Sequence, residues 1–147
     1  MSAASAVIVA LHLSHASRAP LTNVGTAEAL LDRGLDGDRH AKPGNRRSIL
    51  FMEQEILDAH GLAPGAVREQ VTVQGLDLNR LEFGSRLKVG SAVFEVAGPC
   101  APCQRMEELR AGLRQALEGR RGRFVRVVEA GTLSVGDAVE IQPPSTP

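Results

Sequence analysis

The sequence predicts a mostly β fold, either a β-barrel or a β-sandwich with a few short helices. Short runs of alternating apolar residues recur along the chain, glycines separate them, and only two stretches have the spacing of a helix. No linker divides the chain, and 147 residues are enough to bury a hydrophobic core. We therefore expect a single domain over residues 1–147, with its core at about residues 5–142 and a frayed tail at residues 143–147.

The first third of the chain contains one clear strand and one loop. In residues 6–13, valine and leucine alternate with other residues, which is the period of a strand. Residues 26–31 fit either a strand or a short helix. The run Gly34-Leu35-Asp36-Gly37-Asp38-Arg39-His40 has the composition of a loop.

The central part of the chain combines short strands with one helix. An apolar strand is predicted at residues 47–51, and a helix at residues 53–60 that Gly61 ends. The valines of residues 67–73 predict a further strand, which ends at a Gln-Gly turn.

The last part of the chain repeats a hairpin pattern. Leu87-Lys88-Val89-Gly90-Ser91-Ala92-Val93 matches Leu133-Ser134-Val135-Gly136-Asp137-Ala138-Val139, and each copy predicts a strand, a tight glycine turn and a return strand. Shared turn chemistry explains this match without a duplication. Between the copies, residues 104–118 carry apolar side chains at helical spacing, and residues 123–129 predict another strand.

The composition excludes several classes of protein. The 17 basic and 17 acidic side chains balance and 43% of the residues are hydrophobic, so neither a disordered chain nor a nucleic-acid-coating protein is expected. No apolar run approaches the roughly 20 residues that span a bilayer, which predicts a cytoplasmic protein without a membrane partner. Lysine occurs only at Lys42 and Lys88, neither in an apolar setting, which argues against a pyridoxal phosphate enzyme on this chain.

The strongest local motif is Cys100-Ala101-Pro102-Cys103, between a predicted strand and a predicted helix. Two cysteines do not make a disulfide framework, and a buried, inert pair is the structural alternative to a functional one. The N-terminus of a helix lowers the pKa of a thiol, so Cys103, and less so Cys100, is expected to be a thiolate, assisted by Arg105. A thiolate is what a nucleophile, a sulfur carrier or a soft metal requires.

The motif alone leaves two further functions open. A zinc knuckle would take its other two ligands from the four histidines His12, His15, His40 and His60, whose spacing matches a zinc site only loosely. A thioredoxin-like dithiol fits the local order of strand, Cys-x-x-Cys and helix, but that fold needs alternating βαβ units rather than hairpins.

Several motifs occur in an order that covers roughly residues 5–142. They are the 34–40 loop, Leu62-Ala63-Pro64-Gly65-Ala66-Val67-Arg68-Glu69-Gln70-Val71-Thr72-Val73, the segment 84–90, the Pro102-Cys103 turn and the segment 131–137. This order resembles the MOSC domain, named for the C-terminal domain of molybdenum cofactor sulfurases, in its small stand-alone bacterial type. The resemblance implies a β-barrel that binds the molybdenum cofactor in its molybdopterin form or carries sulfur for it.

The resemblance also assigns roles to residues. Cys103, by its position before the helix, matches the family's molybdenum ligand or persulfide carrier, and Cys100 matches an upstream partner; both are the predicted catalytic residues. The predicted cofactor-binding residues are Arg68, Gln70, Asp38, His40, Arg46, Arg47 and Arg105. Arginine forks suit the phosphate tail of the pterin.

Individual positions match the family to different degrees. Arg68 matches a family arginine, and Asp38 and His40 match a Gly-Asp-x-His loop, whereas Gln70 stands where the family usually has asparagine. Structural roles are the alternatives: Asp38 would cap a turn beside an exposed His40, and the two arginines at 46 and 47 would be solvated. We expect the other three histidines at the surface.

The resemblance implies two classes of function. As an enzyme, the protein would hold molybdenum through Cys103 for two-electron redox chemistry, with N-hydroxylated compounds as substrates, and would need a redox partner. As a carrier, it would hold a persulfide on Cys103 or deliver the cofactor without turnover. A pyridoxal phosphate-dependent cysteine desulfurase would then be a separate partner protein, because this chain has no room for that domain.

Overall fold

Eleven strands and three short helices make up the parts of the chain that the computed structural model describes, residues 6–99 and 104–142. The strands are β1 (Ala6–Leu13), β2 (Thr22–Val24), β3 (Thr26–Leu30), β4 (Gly34–Leu35), β5 (Ile49–Glu53), β6 (Val71–Gln74), β7 (Arg86–Val89), β8 (Ala92–Pro99), β9 (Arg123–Glu129), β10 (Gly131–Ser134) and β11 (Ala138–Gln142). The helices are α1 (Gln54–Ala59), α2 (Gln104–Leu109) and α3 (Leu113–Ala116), and Leu78–Arg80 forms a 3₁₀ turn. The predicted tail at residues 143–147 lies outside the described residues.

Seven of the strands close into a β-barrel, in the order β11-β7-β8-β9-β5-β6-β1. The barrel closes where β1 pairs with β11, with Ala6 opposite Val139. Neighbouring barrel strands are antiparallel except β5 and β6, which α1 connects as a parallel pair. The sequence did not distinguish a barrel from a sandwich. The pairing of β1 with β11 shows that the fold is a barrel.

The barrel encloses the main core, in which the rings of Phe51 and Phe94 meet edge to face at 5.5 Å between centroids. A second, smaller core forms outside the barrel beneath the helices. β5 separates the two cores, since Phe51 belongs to the first and Met52 to the second. A strand that is covered on both faces reads as a continuous apolar run, and all five residues of β5 are buried.

A three-stranded antiparallel sheet, in the order β10-β3-β4, lies beside the barrel. The ambiguous residues 26–31 are therefore largely strand, because β3 pairs with β10 over Thr26 to Ala29. This sheet leads the chain into the predicted loop, which continues from β4 to His40.

Three predicted elements are corrected by the structure. The second glycine-turn copy is not a hairpin, because β10 pairs with β3 while β11 pairs with β7 and β1. The predicted helix at residues 104–118 is divided into α2 and α3, because Gly112 adopts a left-handed conformation at φ 84°. The predicted strand at residues 67–73 begins only at Val71, because a turn closed by the hydrogen bond from Arg68 N to Gly65 O precedes it. No helix in the described ranges is both long enough and apolar enough to cross a membrane.

Candidate functional site

Five arginines line one cleft of about 340 Å³, which we call the arginine cleft. Its lining residues are Ser17, Arg18, Arg39, His40, Arg47, Leu50, Arg68, Gln70, Arg121 and Phe124. No carboxylate is among these described lining residues. Such a one-sided concentration of charge attracts anions and has a fork of donors on each side chain to bind them.

Arg68 lines the cleft from the turn before β6. Its backbone is in the left-handed region at φ 66°, which is uncommon for a residue with a Cβ and is found at functional sites. Its guanidinium donates to the carbonyl of Ala19 at 2.8 Å and to the Ser14 hydroxyl at 3.2 Å. The segment that follows β1 therefore fixes the direction of this side chain.

The predicted Asp38–His40 loop lines the cleft with Arg39 and His40, and the buried Asp38 carboxylate holds the loop from behind. Asp38 Oδ1 accepts from the His40 backbone N–H at 2.8 Å and from His40 Nδ1 at 2.9 Å, while Oδ2 accepts from the N–H of Ser14 at 2.8 Å. Burial alone would raise the pKa of Asp38, but the hydrogen bonds from His40 and Ser14 outweigh it and the pKa is lowered.

The ionised Asp38 carboxylate also fixes the proton of the His40 ring. Because a carboxylate only accepts, Nδ1 of His40 is the protonated nitrogen and Nε2 is the acceptor of the neutral ring. Asp38 thus caps backbone N–H groups, as the structural alternative predicted, and His40 is half-buried and lines the cleft.

Gln70 connects this loop to the barrel. Its Oε1 accepts from Leu50 N–H at 2.8 Å, and its Nε2 lies 3.4 Å from Asp38 Oδ2. The amide that stands in place of the family's asparagine is therefore engaged within the protein, although Gln70 lines the cleft.

Arg121 is a site residue that sequence reasoning missed. Its exposed fraction is only 6%, and Nη2 donates to the Val67 carbonyl. Nε and Nη1 have no hydrogen-bond partner within the described part of the chain. A buried cation without a carboxylate partner carries a desolvation penalty that a bound anion would remove.

Gly122, which follows Arg121, explains how the Arg121 side chain comes to be buried. A Cβ on Gly122 would lie 2.3 Å from the carbonyl oxygen of Phe51, so only glycine lets the start of β9 approach β5 this closely. The signal in the sequence was Arg120-Arg121-Gly122-Arg123, a charge run that normally indicates a solvated face.

The other arginines of the cleft are more exposed. The Arg47 guanidinium lies 5.1 Å from the centre of the Phe124 ring, a cation–π contact, and Arg39 Nε donates to the Ser14 hydroxyl at 3.3 Å. Arg18 forms an ion pair with Glu108 at 2.9 Å. Arg46, predicted with Arg47, is exposed and is not among the lining residues.

Comparison with protein families decides what this barrel and cleft belong to. The family model for the MOSC domain matches residues 44–140. The chain belongs to the MOSC domain family. This match contains Gln70 and Arg121 as well as Arg47 and Arg68 of the cleft.

Solved structures share the MOSC fold of this chain. The YuaD protein from Bacillus subtilis is similar with a TM-score of 0.82 and 20% identity, over 97% of this chain and 98% of that one. YiiM from Geobacillus stearothermophilus has a TM-score of 0.74 and 19% identity, over 92% and 74% of the two chains. YiiM from Escherichia coli has a TM-score of 0.72 and 18% identity, over 96% and 72%. A search of curated proteins finds no match.

The predicted catalytic cysteines of this MOSC domain, Cys100 and Cys103, lie outside the described residues. The side chain of Arg105 is also not described. The chain leaves β8 at Pro99, which pairs with Arg123 of β9, and resumes at the start of α2. Pro99, the last described residue before the cysteines, thus stands opposite a residue two positions after Arg121.

One histidine of the MOSC barrel contradicts its prediction. His12 is 7% exposed rather than at the surface, because the turn before β6 packs on its ring at Gly65 and β2 pairs beside it. His15 is exposed as predicted. Within the described ranges, no three His, Cys, Asp or Glu side chains are placed to hold a metal ion.

Proposed function

We propose that this MOSC domain binds the molybdenum cofactor in its molybdopterin form, with the phosphate end of the pterin in the arginine cleft. Arg121 carries this proposal, since it is a buried cation with two unpartnered nitrogen atoms in the described part of the chain. A phosphate offers charge and several acceptor oxygens, which is what such donors require. Family membership supports the choice of this anion over others.

Different residues of the cleft would take different parts in binding. Arg68 and Arg121 would hold the phosphate, and Arg39 and Arg47 would add charge at the more exposed side. Gln70 would maintain the wall through Leu50 and Asp38 rather than contact the cofactor, because its carbonyl oxygen is already hydrogen-bonded. Asp38 would hold the proton on Nδ1 of His40 and leave Nε2 as an acceptor toward the cofactor.

The proposed ligand of the molybdenum is Cys103, with Cys100 in an auxiliary role. The bound metal would supply two-electron redox chemistry, for which we propose N-hydroxylated compounds as substrates. The thiol must stay reduced to bind a metal. A thioredoxin-like exchange reaction has no support from the fold, because the described strands form a closed barrel with one parallel pair, β5 and β6, instead of a sheet of alternating βαβ units.

Metal and pterin analysis of protein from a host that makes the cofactor tests this function. We expect molybdenum and pterin in equal, near-stoichiometric amounts. Cyanide-releasable sulfur without metal would instead assign the sulfur-carrier role, with a cysteine desulfurase as partner. Rapid reduction of insulin disulfides would contradict both roles.

Serine substitutions of the two cysteines test the choice of ligand. Cys103→Ser is expected to remove nearly all bound molybdenum, because a neutral hydroxyl is a poor ligand for it, while Cys100→Ser retains most of it. Bound pterin and metal are measured in both variants after the same purification. Loss of metal from Cys100→Ser alone would mean that the assignment is reversed.

A further inference from the structure

We propose that Glu69 is a positioning residue of the arginine cleft, because it holds the turn from Gly65 to Arg68 and, through this turn, both arginines that would bind the phosphate. This role rests on the anion site proposed for the cleft. Glu69 is not among the described lining residues, and its side chain is fully buried. It would therefore act on the anion only through other residues.

The Glu69 carboxylate connects the turn to the barrel. One oxygen, Oε2, accepts from the backbone N–H of Gly65 at 2.8 Å and from the hydroxyl of Thr72 at 2.7 Å. Thr72 is a fully buried residue of β6, where it pairs with Met52 of β5. The carboxylate thus ties the first residue of the turn to a strand of the barrel wall.

The turn has a backbone conformation that requires support. The N–H of Arg68 donates to the Gly65 carbonyl at 2.9 Å, and the two residues are left-handed, at φ 66° and 87°. This region is unfavourable for a residue with a Cβ, so contacts around Arg68 have to maintain it. Glu69 provides one such contact at the other end of the turn. The ring of His12 limits the turn on another side, since a Cβ on Gly65 would lie 3.0 Å from it.

Both arginines that would hold the phosphate depend on this turn. Arg68 belongs to it, and Arg121 Nη2 donates to the carbonyl of Val67, one residue earlier. Ser14 and Ala19 direct the Arg68 side chain, but the position from which that side chain starts is set by the turn. A displaced turn would therefore move one arginine and remove the hydrogen bond that holds the other.

The contact indicates which property of Glu69 matters. Both hydrogen bonds reach Oε2, while Oε1 has no partner among the described residues. An amide oxygen also accepts two hydrogen bonds, so glutamine could replace glutamate here. Aspartate keeps the charge, but its side chain is one carbon shorter and would not reach Gly65. The reach of the side chain, rather than its charge, is therefore what the turn requires.

Pyrophosphate binding by cofactor-free protein tests this role with two variants that separate reach from charge. Glu69→Gln should stay within about threefold of the wild type, because the acceptor is kept. Glu69→Asp should weaken binding by about tenfold or more, roughly the effect of one lost charged hydrogen bond. The reverse order of the two variants would overturn the positioning role, since the charge of Glu69 would then decide affinity.

Glu53→Asp is the matched control, at a buried carboxylate outside the cleft that accepts the backbone N–H of Leu78. It should change pyrophosphate binding by less than about twofold, although it shortens a buried side chain in the same way. An equal loss in Glu53→Asp and Glu69→Asp would mean that general destabilisation weakens binding, and would overturn the specific role of Glu69.

Combination with Arg68→Ala tests whether Glu69 acts through that arginine. Arg68→Ala should weaken pyrophosphate binding by about tenfold or more in the wild type, but by less than about threefold in Glu69→Asp, where the arginine is already displaced. Losses that multiply would overturn this coupling. Hydrogen exchange of the wild-type Gly65 amide needs no variant: we expect protection, and exchange at the rate of an exposed turn would overturn the contact.

Two results separate the role of Glu69 from the anion site itself. If the wild type binds pyrophosphate and Arg121→Met loses it while Glu69→Asp does not, the anion site holds and only the positioning role is overturned. If the wild type does not bind pyrophosphate, the anion site and the positioning role are overturned together.

Discussion

Arg120 and Arg121 are neighbours in sequence but line two different cavities. Arg121 lines the arginine cleft, and Arg120 lines a cavity of about 460 Å³ with Glu53, Glu55 and Asp77, which we call the acidic cavity. The arginine cleft has buried donors without partners. In the acidic cavity, each carboxylate accepts a backbone N–H: Glu53 from Leu78, Glu55 from Gly75 and Asp77 from Asn79.

This difference is the reason for which we propose a ligand in the arginine cleft and none in the acidic cavity. Carboxylates that accept local N–H groups hold the loop from Gly75 to Asn79 in place and are explained by structure alone. The unpaired nitrogens of Arg121 have no hydrogen-bond partner in the described part of the chain, and the proposed anion would satisfy them. Satisfaction of hydrogen bonds, rather than the amount of charge, distinguishes the two cavities.

The largest expected effect is the loss of anion binding on substitution of Arg121. Arg121→Met should weaken cofactor or pyrophosphate binding roughly 100-fold, or about 2.7 kcal/mol, because a charged, desolvated contact is lost. The same variant should raise the stability of the cofactor-free protein by about 1 kcal/mol, since an unpaired buried cation is removed. Calorimetric binding and denaturant unfolding measure the two effects.

Arg120→Met is the matched control for this prediction. It should change pyrophosphate binding by less than twofold, because Arg120 is exposed and lines the acidic cavity. Equal losses in both variants would mean that the whole basic run, and not the buried Arg121, attracts the anion.

Arg68 tests whether geometry matters in addition to charge. Arg68→Ala should weaken cofactor binding by about 1.5 to 3 kcal/mol, whereas Arg68→Lys should recover only part of that loss, because an ammonium cannot bind bidentately. Arg80→Ala is the control, at a side chain that is 88% exposed and lies outside the cleft. Equal and small effects in all three variants would make Arg68 an ordinary surface residue.

The sequence predicted most of the fold because its signals are local. Alternating valines and glycine turns locate the strands, and the order of motifs identifies the family. The errors arise where tertiary structure overrides a local pattern. The valines at 67–73 indicated a strand. This segment instead begins with a turn, because Arg68 has a left-handed backbone and its side chain is held by Ala19 and Ser14 from a distant segment.

The candidate site was predictable only in part for the same reason. Arg68 and His40 were named from motifs and Arg47 as an anion contact, and all three line one cleft. Arg121 was not, because its burial depends on the approach of Gly122 to the Phe51 carbonyl across paired strands. His12 was expected at the surface, because one sequence does not show that the turn at Gly65 packs on its ring.

The smallest predicted effect concerns Glu53, which tests the structural role of the acidic cavity. Burial raises the pKa of Glu53 to about 7, and the charges of Asp77 and Glu55 add to this, while the Leu78 N–H opposes it. A carboxyl whose pKa is higher in the folded than in the unfolded state stabilises the fold when protonated, so this contribution is lost as pH rises from about 4.5 to 7.

Glu53→Gln keeps the acceptor for Leu78 without a charge and should remove this dependence on pH, with a gain in the free energy of unfolding of about 1 to 2 kcal/mol at pH 8. Urea unfolding at pH 5 and pH 8 measures the change, with the exposed Glu82→Gln as control. A loss of stability at pH 8 would mean that Glu53 is needed as a charged group, and the acidic cavity would then have to be regarded as a cation site rather than a structural one.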